Sequence, residues 1–365
     1  MPDCIICGKS FPTLSKTLPF CHTCLKNSFE EIFPAVKHTH AEIRQKLGLP
    51  PYLSISNNGM TCTRCVNQCK IQEGKIGYCG SYKNENGKLE GIYKEKTTYF
   101  YKKNLISYML TKLCQKRGCS KSKEAGGTAK NLGIMYWTCN YNCLSCRNVG
   151  GWEKLNEITP GGLKIESFID EVDENVECVG FFGGDPVAQI DHAFKCCEYL
   201  INKKNKIPSI CWETNGAMNS RIIRKMAEYS YLTKGCIRLD LKTFNDNLHI
   251  ALTGSSNKWT FKNVEILADI SRSVKTYKFL TLSTLLMPGY VENEEVSAIS
   301  RFIASIDKSI PYRIIKFLPG FYLNDIPETS SKDLLSAKEV AQNQGLNDVE
   351  VIELILKSNE PELWA

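Results

Sequence analysis

Three cysteines stand close together in the segment Cys139-Asn-Tyr-Asn-Cys143-Leu-Ser-Cys146, and their spacing restricts what this chain can fold around. Three neighbouring thiolates can each bind one iron of a [4Fe–4S] cluster and leave the fourth iron without a protein ligand. The apolar run Ile134–Trp137 precedes them and predicts a strand that ends at this site. A zinc site completed from elsewhere, or buried cysteines acting as small apolar residues, are the alternatives. The lack of a neighbouring His or fourth Cys favours the cluster.

The chain has 365 residues and 18 cysteines, and 13 of these cysteines fall in the first 146 residues. Hydrophobic residues make up 42% and charged residues 23%, which is ordinary for a globular protein with a core. No apolar run reaches the ~18 residues of a membrane span, and the N-terminus lacks the pattern of a secretory signal. We therefore expect a cytoplasmic protein without a membrane partner, whose clustered cysteines bind metals rather than form disulfides. So many thiols also favour an anaerobic setting.

Two CxxC pairs, separated by 13 residues, stand at the start of the chain. Each pair brings two sulfurs to one ion, and two pairs close a tetrahedral site. Gly8 follows the first pair and suits the tight turn of such a loop. The pattern predicts a structural zinc site, with a rubredoxin-like iron as the alternative, and its ligands are Cys4, Cys7, Cys21 and Cys24.

A second cysteine module follows, with the spacing CxxCx3Cx9C. Four thiolates can bind either zinc or an auxiliary iron–sulfur cluster, and the sequence does not decide between the two. The module consists of Cys62, Cys65, Cys69 and Cys79. Cys114 and Cys119 lie in a basic stretch without a further partner, and we assign them no metal role.

Beyond the triplet, short β-type runs alternate with helical ones, which predicts βα units and a parallel sheet. The expected strands are Leu132–Trp137, Cys178–Phe182, Ser209–Glu213, Ile237–Leu241, Phe279–Leu286 and Arg313–Leu318, with a last strand at Val349–Ile355. Ser331 is expected to cap a helix over Lys332–Gln344, with Gly345 after its end. The predicted fold class is α/β, a partial (β/α)6 TIM-like barrel preceded by small cysteine-rich metal-binding modules.

The chain divides into four expected parts. These are a zinc-ribbon-like Cys4 module and linker (1–58), a second Cys4 module and basic connector (59–130), a core barrel (131–325) and a C-terminal helix and strand (326–365). Residues 1–133 carry 21 Lys and Arg against nine Asp and Glu, whereas the remainder carries 25 against 30. This basic part favours RNA, an anionic protein or an anionic cofactor as a partner, and a solvated lysine surface is the simpler interpretation.

Glycines and acidic residues follow several predicted strands, where the chemistry of such barrels collects. A Gly-Gly-Asp-Pro motif begins at Gly183, and glycines let the backbone approach a ligand closely. A Glu-Thr-Asn-Gly motif begins at Glu213, and Asp-Leu-Lys begins at Asp240. Buried acids are costly there unless a cation or donor meets them. Core salt bridges are the alternative interpretation for Glu213, Asp240 and Lys242.

The triplet, these motifs and Leu252-Thr-Gly254 together resemble the radical SAM superfamily, and more narrowly the pyruvate formate-lyase activating enzymes. The segment from Cys62 to Gly80, with Phe317-Leu-Pro-Gly320, is similar to the radical SAM enzymes of the AmmeMemoRadiSam system. The resemblance covers about residues 60–355, so the first Cys4 module lies outside it.

The resemblance implies that S-adenosylmethionine chelates the open iron of a [4Fe–4S] cluster. An electron then cleaves it reductively to methionine and a 5′-deoxyadenosyl radical, which abstracts hydrogen from a substrate. The catalytic residues implied are the cluster ligands Cys139, Cys143 and Cys146. The cofactor-binding residues implied are Gly183, Gly184 and Asp185 for the methionyl ammonium, Glu213, Thr214 and Asp240 for a monovalent cation, and Lys242 for the cofactor or substrate. Because Ser145 replaces a residue that is often aromatic, adenine is expected to pack on Tyr141 or Leu144.

The activity that the resemblance implies is hydrogen abstraction from a protein or peptide, with an electron donor such as ferredoxin or flavodoxin. The basic N-terminal part and its zinc-ribbon-like module make RNA or a nucleotide the alternative substrate. A non-catalytic metal-binding scaffold is the third hypothesis, and the intact triplet argues against it.

Overall fold

The computed structural model describes residues 1–93, 96–97, 99–104, 130–136, 138–148, 163–164, 168, 170–203, 207–274 and 279–353. Its N-terminal part contains two helices and short antiparallel strand pairs. The helices are α1 (His22–Asn27) and α2 (Phe29–Lys46). The paired strands are β1 (Met60–Thr61) with β2 (Lys70–Ile71), β3 (Tyr82–Glu85) with β4 (Lys88–Gly91), and β5 (Lys96–Thr97) with β8 (Leu163–Lys164).

An eight-stranded sheet forms the centre of the molecule, with seven parallel strands and one antiparallel edge strand. In order along the chain they are β6 (Tyr99–Asn104), β7 (Lys130–Tyr136), β9 (Val176–Gly183), β10 (Ser209–Thr214), β11 (Ile237–Asp240), β12 (Leu280–Leu286), β13 (Tyr312–Lys316) and β14 (Val349–Ile352). Each strand lies beside the next one in this series. The predicted α/β fold with a partial barrel is therefore confirmed.

Helices follow the parallel strands, as right-handed βα connections require. They are α3 (Ile190–Lys203), α4 (Ser220–Leu232), α5 (Asp246–Thr253), α6 (Lys258–Ser273), α7 (Asn293–Ile306) and α8 (Ser331–Asn343). Asn219 and Asn245 cap α4 and α5, because their side-chain oxygens accept backbone N–H groups of the first turn. Ser330, rather than the predicted Ser331, caps α8, since its hydroxyl oxygen accepts the Asp333 N–H at 3.1 Å.

The predicted strand bounds differ from the observed ones by a few residues. The antiparallel strand β6 was missing from the prediction, because its partner β7 lies far along the chain and local patterns carry no record of such pairing. Strand β14 pairs with β13, so the C-terminal helix and strand continue the core sheet. Trp137, Cys114, Cys119 and the predicted strand end at Ile355 lie outside the described residues.

The sheet strands are buried on both faces, which explains why they read as continuous apolar runs. Phe181 of β9 stacks on Trp212 of β10 with ring centroids 4.5 Å apart. None of the helices in the described part of the chain has the length and apolarity that a membrane crossing demands.

The N-terminal segment packs against loops at the carboxyl ends of the parallel strands. Leu18 and Phe20 share a buried cluster with Tyr290 and Phe317, which follow β12 and β13. The Tyr290 hydroxyl donates to the Leu18 carbonyl oxygen at 2.7 Å and accepts the Ser15 N–H at 3.0 Å. The first cysteine module is thus attached to the end of the barrel where the strand-end motifs lie.

Candidate functional site

The three-cysteine loop follows strand β7 and is hydrogen-bonded to the C-terminal end of helix α5. The backbone N–H groups of Asn142 and Leu144 donate to the Thr253 and Leu252 carbonyl oxygens at 2.8 and 2.9 Å. The Leu-Thr-Gly motif therefore supplies the helix end on which the loop rests. This anchoring holds a polar loop in one conformation beside the sheet edge.

The three thiols of this loop lie near one another, but not at the separation that a single ion requires. Burial raises the pKa of Cys139 well above its usual range, and the charges of Asp185, Cys143 and Cys146 raise it further. Within the described ranges, however, only Cys4, Cys7, Cys21 and Cys24 bring three or more ligand atoms within 4.8 Å of one another. Thiolates that bind separate irons of one cluster must stand further apart than ligands of one ion. The three thiols therefore do not form the compact group that one zinc ion requires.

Hydrogen bonds from neighbouring residues hold the Cys139 sulfur. The Tyr141 N–H donates to it at 3.3 Å, and the Asn215 side-chain amide donates at 3.7 Å. Asn215 also donates to the Asn140 side-chain oxygen at 2.7 Å. N–H groups directed at a sulfur stabilise its thiolate form, which is the form that binds iron. Asn215 and Asn140 received no role in the sequence prediction, although both lie inside motifs that were singled out.

The paired-glycine loop closes tightly against the end of β7. Gly183 has φ of +112°, and a Cβ there would lie 2.5 Å from the Tyr136 nitrogen and closer still to its carbonyl oxygen. Only glycine fits this position without displacing backbone. The Gly184 N–H donates to the Tyr136 carbonyl oxygen, and the Asp185 N–H donates to that of Thr138 at 2.9 Å. The two glycines thus place the loop beside the residue preceding Cys139.

The buried carboxylate of Asp185, which follows strand β9, links this strand to the end of β10 through hydrogen bonds. Its carboxylate accepts the Val187 N–H at 2.9 Å, the Thr214 hydroxyl at 2.8 Å and the Asn215 N–H at 2.7 Å. Burial raises the pKa of Asp185 to about 6, although these three hydrogen bonds act in the opposite direction. The carboxylate therefore positions Asn215 against Cys139, and its contact with a methionyl ammonium stays a prediction.

The acids at the ends of β10 and β11 meet cationic side chains. Arg238 forms ion pairs with Glu213 at 2.7 Å and with Asp240 at 3.6 Å, and Lys242 lies 3.1 Å from Asp240. Burial raises the pKa of Glu213 to about 6, against the effect of Arg238. Burial acts in the same direction on Asp240, but Lys242, Arg238 and the Ser283 hydroxyl lower its pKa to about 2.

These ion pairs bear on the predicted cation site. Glu213 and Asp240 both form ion pairs with Arg238, which agrees with the alternative interpretation of these acids as members of core salt bridges. The Thr214 hydroxyl donates its hydrogen bond to Asp185. A monovalent cation at these three residues stays a prediction. The positive charge of Lys242 acts to lower the pKa of Cys143, which burial raises to about 12. The positive charge of Lys242 therefore favours the thiolate form of Cys143 in the triplet.

The two loop residues expected to pack on adenine have buried side chains. Tyr141 is 1% exposed, and its hydroxyl lies 3.1 Å from that of Thr260. Its ring meets His249 edge-on with centroids 5.1 Å apart. Leu144 is fully buried. Adenine packing on either side chain stays a prediction.

The first Cys4 site has a different geometry from the triplet. Its four ligand atoms lie within 4.8 Å of one another, and the Cys7 and Cys21 sulfurs are 3.9 Å apart. Tetrahedral zinc with bonds of about 2.3 Å places its sulfurs about 3.8 Å apart. Burial acts to raise the pKa of Cys4, but N–H groups of Cys7, Cys21 and Ile6 lower it to about 6. The site therefore fits one metal ion.

The fold and the triplet loop together define the class of protein. The family model described as the radical SAM superfamily matches residues 134–302, which include the triplet and the paired-glycine loop. Residues 134–302 of this chain are thus a radical SAM domain, and the family of that domain uses a [4Fe–4S] cluster and S-adenosylmethionine. The identification made from the sequence motifs is thus confirmed at this level.

Several proteins to which this chain is similar are named as activating enzymes. A Methanocaldococcus jannaschii protein named as a candidate glycyl-radical enzyme activating enzyme is 28% identical over 220 residues, covering 57% of this chain and 75% of that protein. The pyruvate formate-lyase-activating enzyme of Staphylococcus aureus is 24% identical over 218 residues, covering 55% of this chain and 81% of that enzyme. Among solved structures, Streptococcus suis SuiB bound to precursor peptide SuiA is 15% identical, with 59% of this chain and 46% of that chain covered and a TM-score of 0.43.

Proposed function

We propose that this enzyme abstracts hydrogen from a protein or peptide substrate. The observation that carries the proposal is that two relatives, each aligned over more than half of this chain, are named as activating enzymes. Enzymes of that kind act on another polypeptide. The first Cys4 module, which packs on the barrel end beside the strand-end motifs, supplies an additional surface for such a partner.

The triplet would hold the cluster through its three thiolates, and one iron would remain for the cofactor. With S-adenosylmethionine bound, the cluster supplies one-electron cleavage of the sulfonium and a radical that abstracts hydrogen. Asn215 and the Tyr141 N–H would keep the Cys139 thiolate oriented. The positive charge of Lys242 acts on Cys143, so we assign Lys242 the attraction of the cofactor carboxylate.

We assign the cofactor's amino group to the backbone of the loop at Gly183 and Gly184. Asp185 would support this loop from beneath, because its carboxylate is engaged by Val187 and Thr214. The buried apolar residues around the loop would keep water and stray reductants from the reactive centre. A ferredoxin or flavodoxin would supply the electron.

RNA is the second candidate substrate. The observation in its favour is the excess of positive charge in residues 1–133, which carry 21 Lys and Arg against nine Asp and Glu. Phosphate binding of this kind weakens steeply as salt rises. We also place the enzyme in the cytoplasm, since clustered metal-binding cysteines persist in a reducing compartment.

The first experiment measures 5′-deoxyadenosine formed from S-adenosylmethionine by anaerobically reconstituted enzyme with dithionite. We expect product from the wild type and none from Cys143→Ala. Cys211→Ala is the matched control, because Cys211 is a buried cysteine of β10 and should retain activity. Product from Cys143→Ala would contradict the assignment of the triplet.

A second experiment identifies the substrate class. Protein and RNA fractions from cells grown in deuterated medium are supplied separately, and deuterium in 5′-deoxyadenosine is measured by mass spectrometry. We expect transfer from the protein fraction alone. Transfer only from RNA would replace the protein proposal with the second candidate.

A further inference from the structure

The second cysteine module brings four thiols together at one place in the N-terminal part. The Cys62 N–H donates to the Cys69 carbonyl oxygen at 2.8 Å, which closes the hairpin of β1 and β2. Cys62 and Cys69 lie in one buried cluster with Tyr78 and Tyr82, and Cys79 packs against that cluster. Cys65 lies between Cys62 and Cys69 in the loop that joins β1 and β2. The four cysteines therefore belong to one small folded segment.

These four sulfurs do not have the separation of a single-ion site. Across the residues that the structure describes, the group with ligand atoms all within 4.8 Å is the first Cys4 site and not this module. Zinc requires sulfurs about 3.8 Å apart, as its bond length of about 2.3 Å dictates. The four corners of an iron–sulfur cluster separate the ligands further, because each thiolate binds its own iron. Like the triplet, the module therefore does not form the compact group of sulfurs that one ion requires.

Buried Arg44 provides an independent sign of negative charge between the module and the triplet. Arg44 is 0% exposed, forms no ion pair with the described residues, and leaves its Nη1 atom without a hydrogen-bond partner among them. Its other nitrogens donate to the carbonyl oxygens of Pro50, at 2.7 Å, and Tyr78. A buried cation is costly unless negative charge compensates it.

Electrostatic attraction identifies the groups that could compensate Arg44. Burial lowers the pKa of Arg44, whereas Tyr78, Cys79, Cys139 and Cys69 act to raise it. These cysteines belong to both metal-binding loops, so one guanidinium faces the module and the triplet at once. The Arg44 Cζ atom lies over the Tyr78 ring, 3.4 Å from its centroid, and thiolates bound to a metal cluster would add negative charge to this partial compensation.

Direct contacts also join the module to the triplet loop. The Ser81 hydroxyl lies 2.6 Å from that of Thr138, and these residues stand two and one positions from Cys79 and Cys139. The Asn67 side chain donates to the Asn140 carbonyl oxygen at 2.6 Å. A short path of covalent and hydrogen bonds therefore connects a cysteine of each loop.

We propose that Cys62, Cys65, Cys69 and Cys79 bind a second [4Fe–4S] cluster that passes electrons to the triplet site. Its role rests on the proposed function, whereas its presence does not. A low-potential one-electron donor of the ferredoxin or flavodoxin class is oxidised and reduces the module by one electron. That electron then moves to the triplet site, the module returns to its oxidised state, and no bond in the protein forms or breaks.

The first test uses the full chain with Cys139, Cys143 and Cys146 all changed to Ala, reconstituted anaerobically with iron and sulfide. We expect about four sulfides per chain and, apart from any single ion at the first Cys4 site, about four irons, as for one cluster, with an electron paramagnetic resonance signal after reduction. Adding Cys69→Ala should abolish the sulfide and the signal. Zinc without sulfide in the triplet-free chain would overturn the proposal. This readout does not depend on 5′-deoxyadenosine formation.

A second test measures the reduction potential of the module in the same triplet-free chain. A reduced cluster carries one more negative charge, so a nearby cation favours reduction. Arg44→Gln should therefore shift the potential to a more negative value, while exposed Lys46 on the same helix is the matched control as Lys46→Gln. An unchanged potential in Arg44→Gln would place the metal away from Arg44 and contradict the proposal.

The relay itself is tested with an intact triplet. Rapid mixing with reduced flavodoxin should show at least tenfold slower reduction of the triplet site in Cys69→Ala than in the wild type, with unchanged S-adenosylmethionine affinity. Arg44→Gln keeps every cysteine and should also slow this transfer. Equal rates in all three proteins would overturn the relay.

Discussion

The first Cys4 site and the triplet loop contain the same local pattern, but their sulfurs are arranged differently. Cys4 and Cys7 form a CxxC pair, as do Cys143 and Cys146. The first pair meets a second CxxC pair, and all four ligand atoms come within 4.8 Å of one another. The other pair accompanies Cys139, whose sulfur accepts a hydrogen bond from the Asn215 amide directly after strand β10. The comparison teaches that tertiary contacts, rather than local spacing, decide whether a CxxC pair suits one ion or a cluster.

The largest expected effect comes from comparing alanine substitutions at one glycine beside each site, Gly8 and Gly183. Both Gly8 and Gly183 have positive φ, but a Cβ at Gly8 meets nothing within 4 Å, whereas one at Gly183 meets the Tyr136 backbone. We expect Gly183→Ala to lower the free energy of unfolding by roughly 3 kcal/mol or more, from strain plus overlap, and to reduce iron binding at the triplet. Gly8→Ala should cost about 1 kcal/mol. Urea unfolding and iron analysis check both; equal losses would show that the close approach at Gly183 is relieved.

An intermediate effect tests the attachment of the first site to the barrel. Tyr290→Phe removes the hydroxyl that bonds Leu18 and Ser15, and leaves both backbone groups without that partner. We expect a loss of about 2 kcal/mol and faster proteolysis of the N-terminal segment, with sulfide content unchanged. Tyr322→Phe is the control, because the Tyr322 hydroxyl has no hydrogen bond to the described residues. A matching loss in both variants would contradict the role of Tyr290.

The smallest expected effect concerns the pH dependence of stability beside the triplet. The folded protein raises the pKa of Asp185 to about 6 from its usual 3.8. The folded state therefore binds this proton more tightly than the unfolded state, and the stabilisation is lost as pH rises through about 6. Relative to Asp185→Asn, the wild type should lose about 1 kcal/mol between pH 5 and pH 7. Urea unfolding of both proteins at each pH measures it, and a difference that is constant or grows with pH would contradict the raised pKa.

Local patterns predicted the parallel strands well because apolar runs and turn residues are short-range signals. The strand predicted at Cys178–Phe182 is observed at Val176–Gly183, and the helix predicted to start after Ser331 is capped by Ser330. Strand β6 was missed, since it is defined by its pairing with β7 across a long stretch of chain. The ion pairs of Arg238 were foreseen only as an alternative, because charge pairing depends on neighbouring strands.

The sequence by itself determined which thiols are available and the order in which strands and helices follow one another. Cysteine spacing and apolar periodicity are local, so they survive in the unfolded chain. Only the tertiary structure decided how far apart the sulfurs stand, that Asn215 reaches Cys139, and that Arg44 faces two cysteine loops. Those relations join residues from separate elements, and only the packing of the sheet, the loops and helix α2 sets their distances.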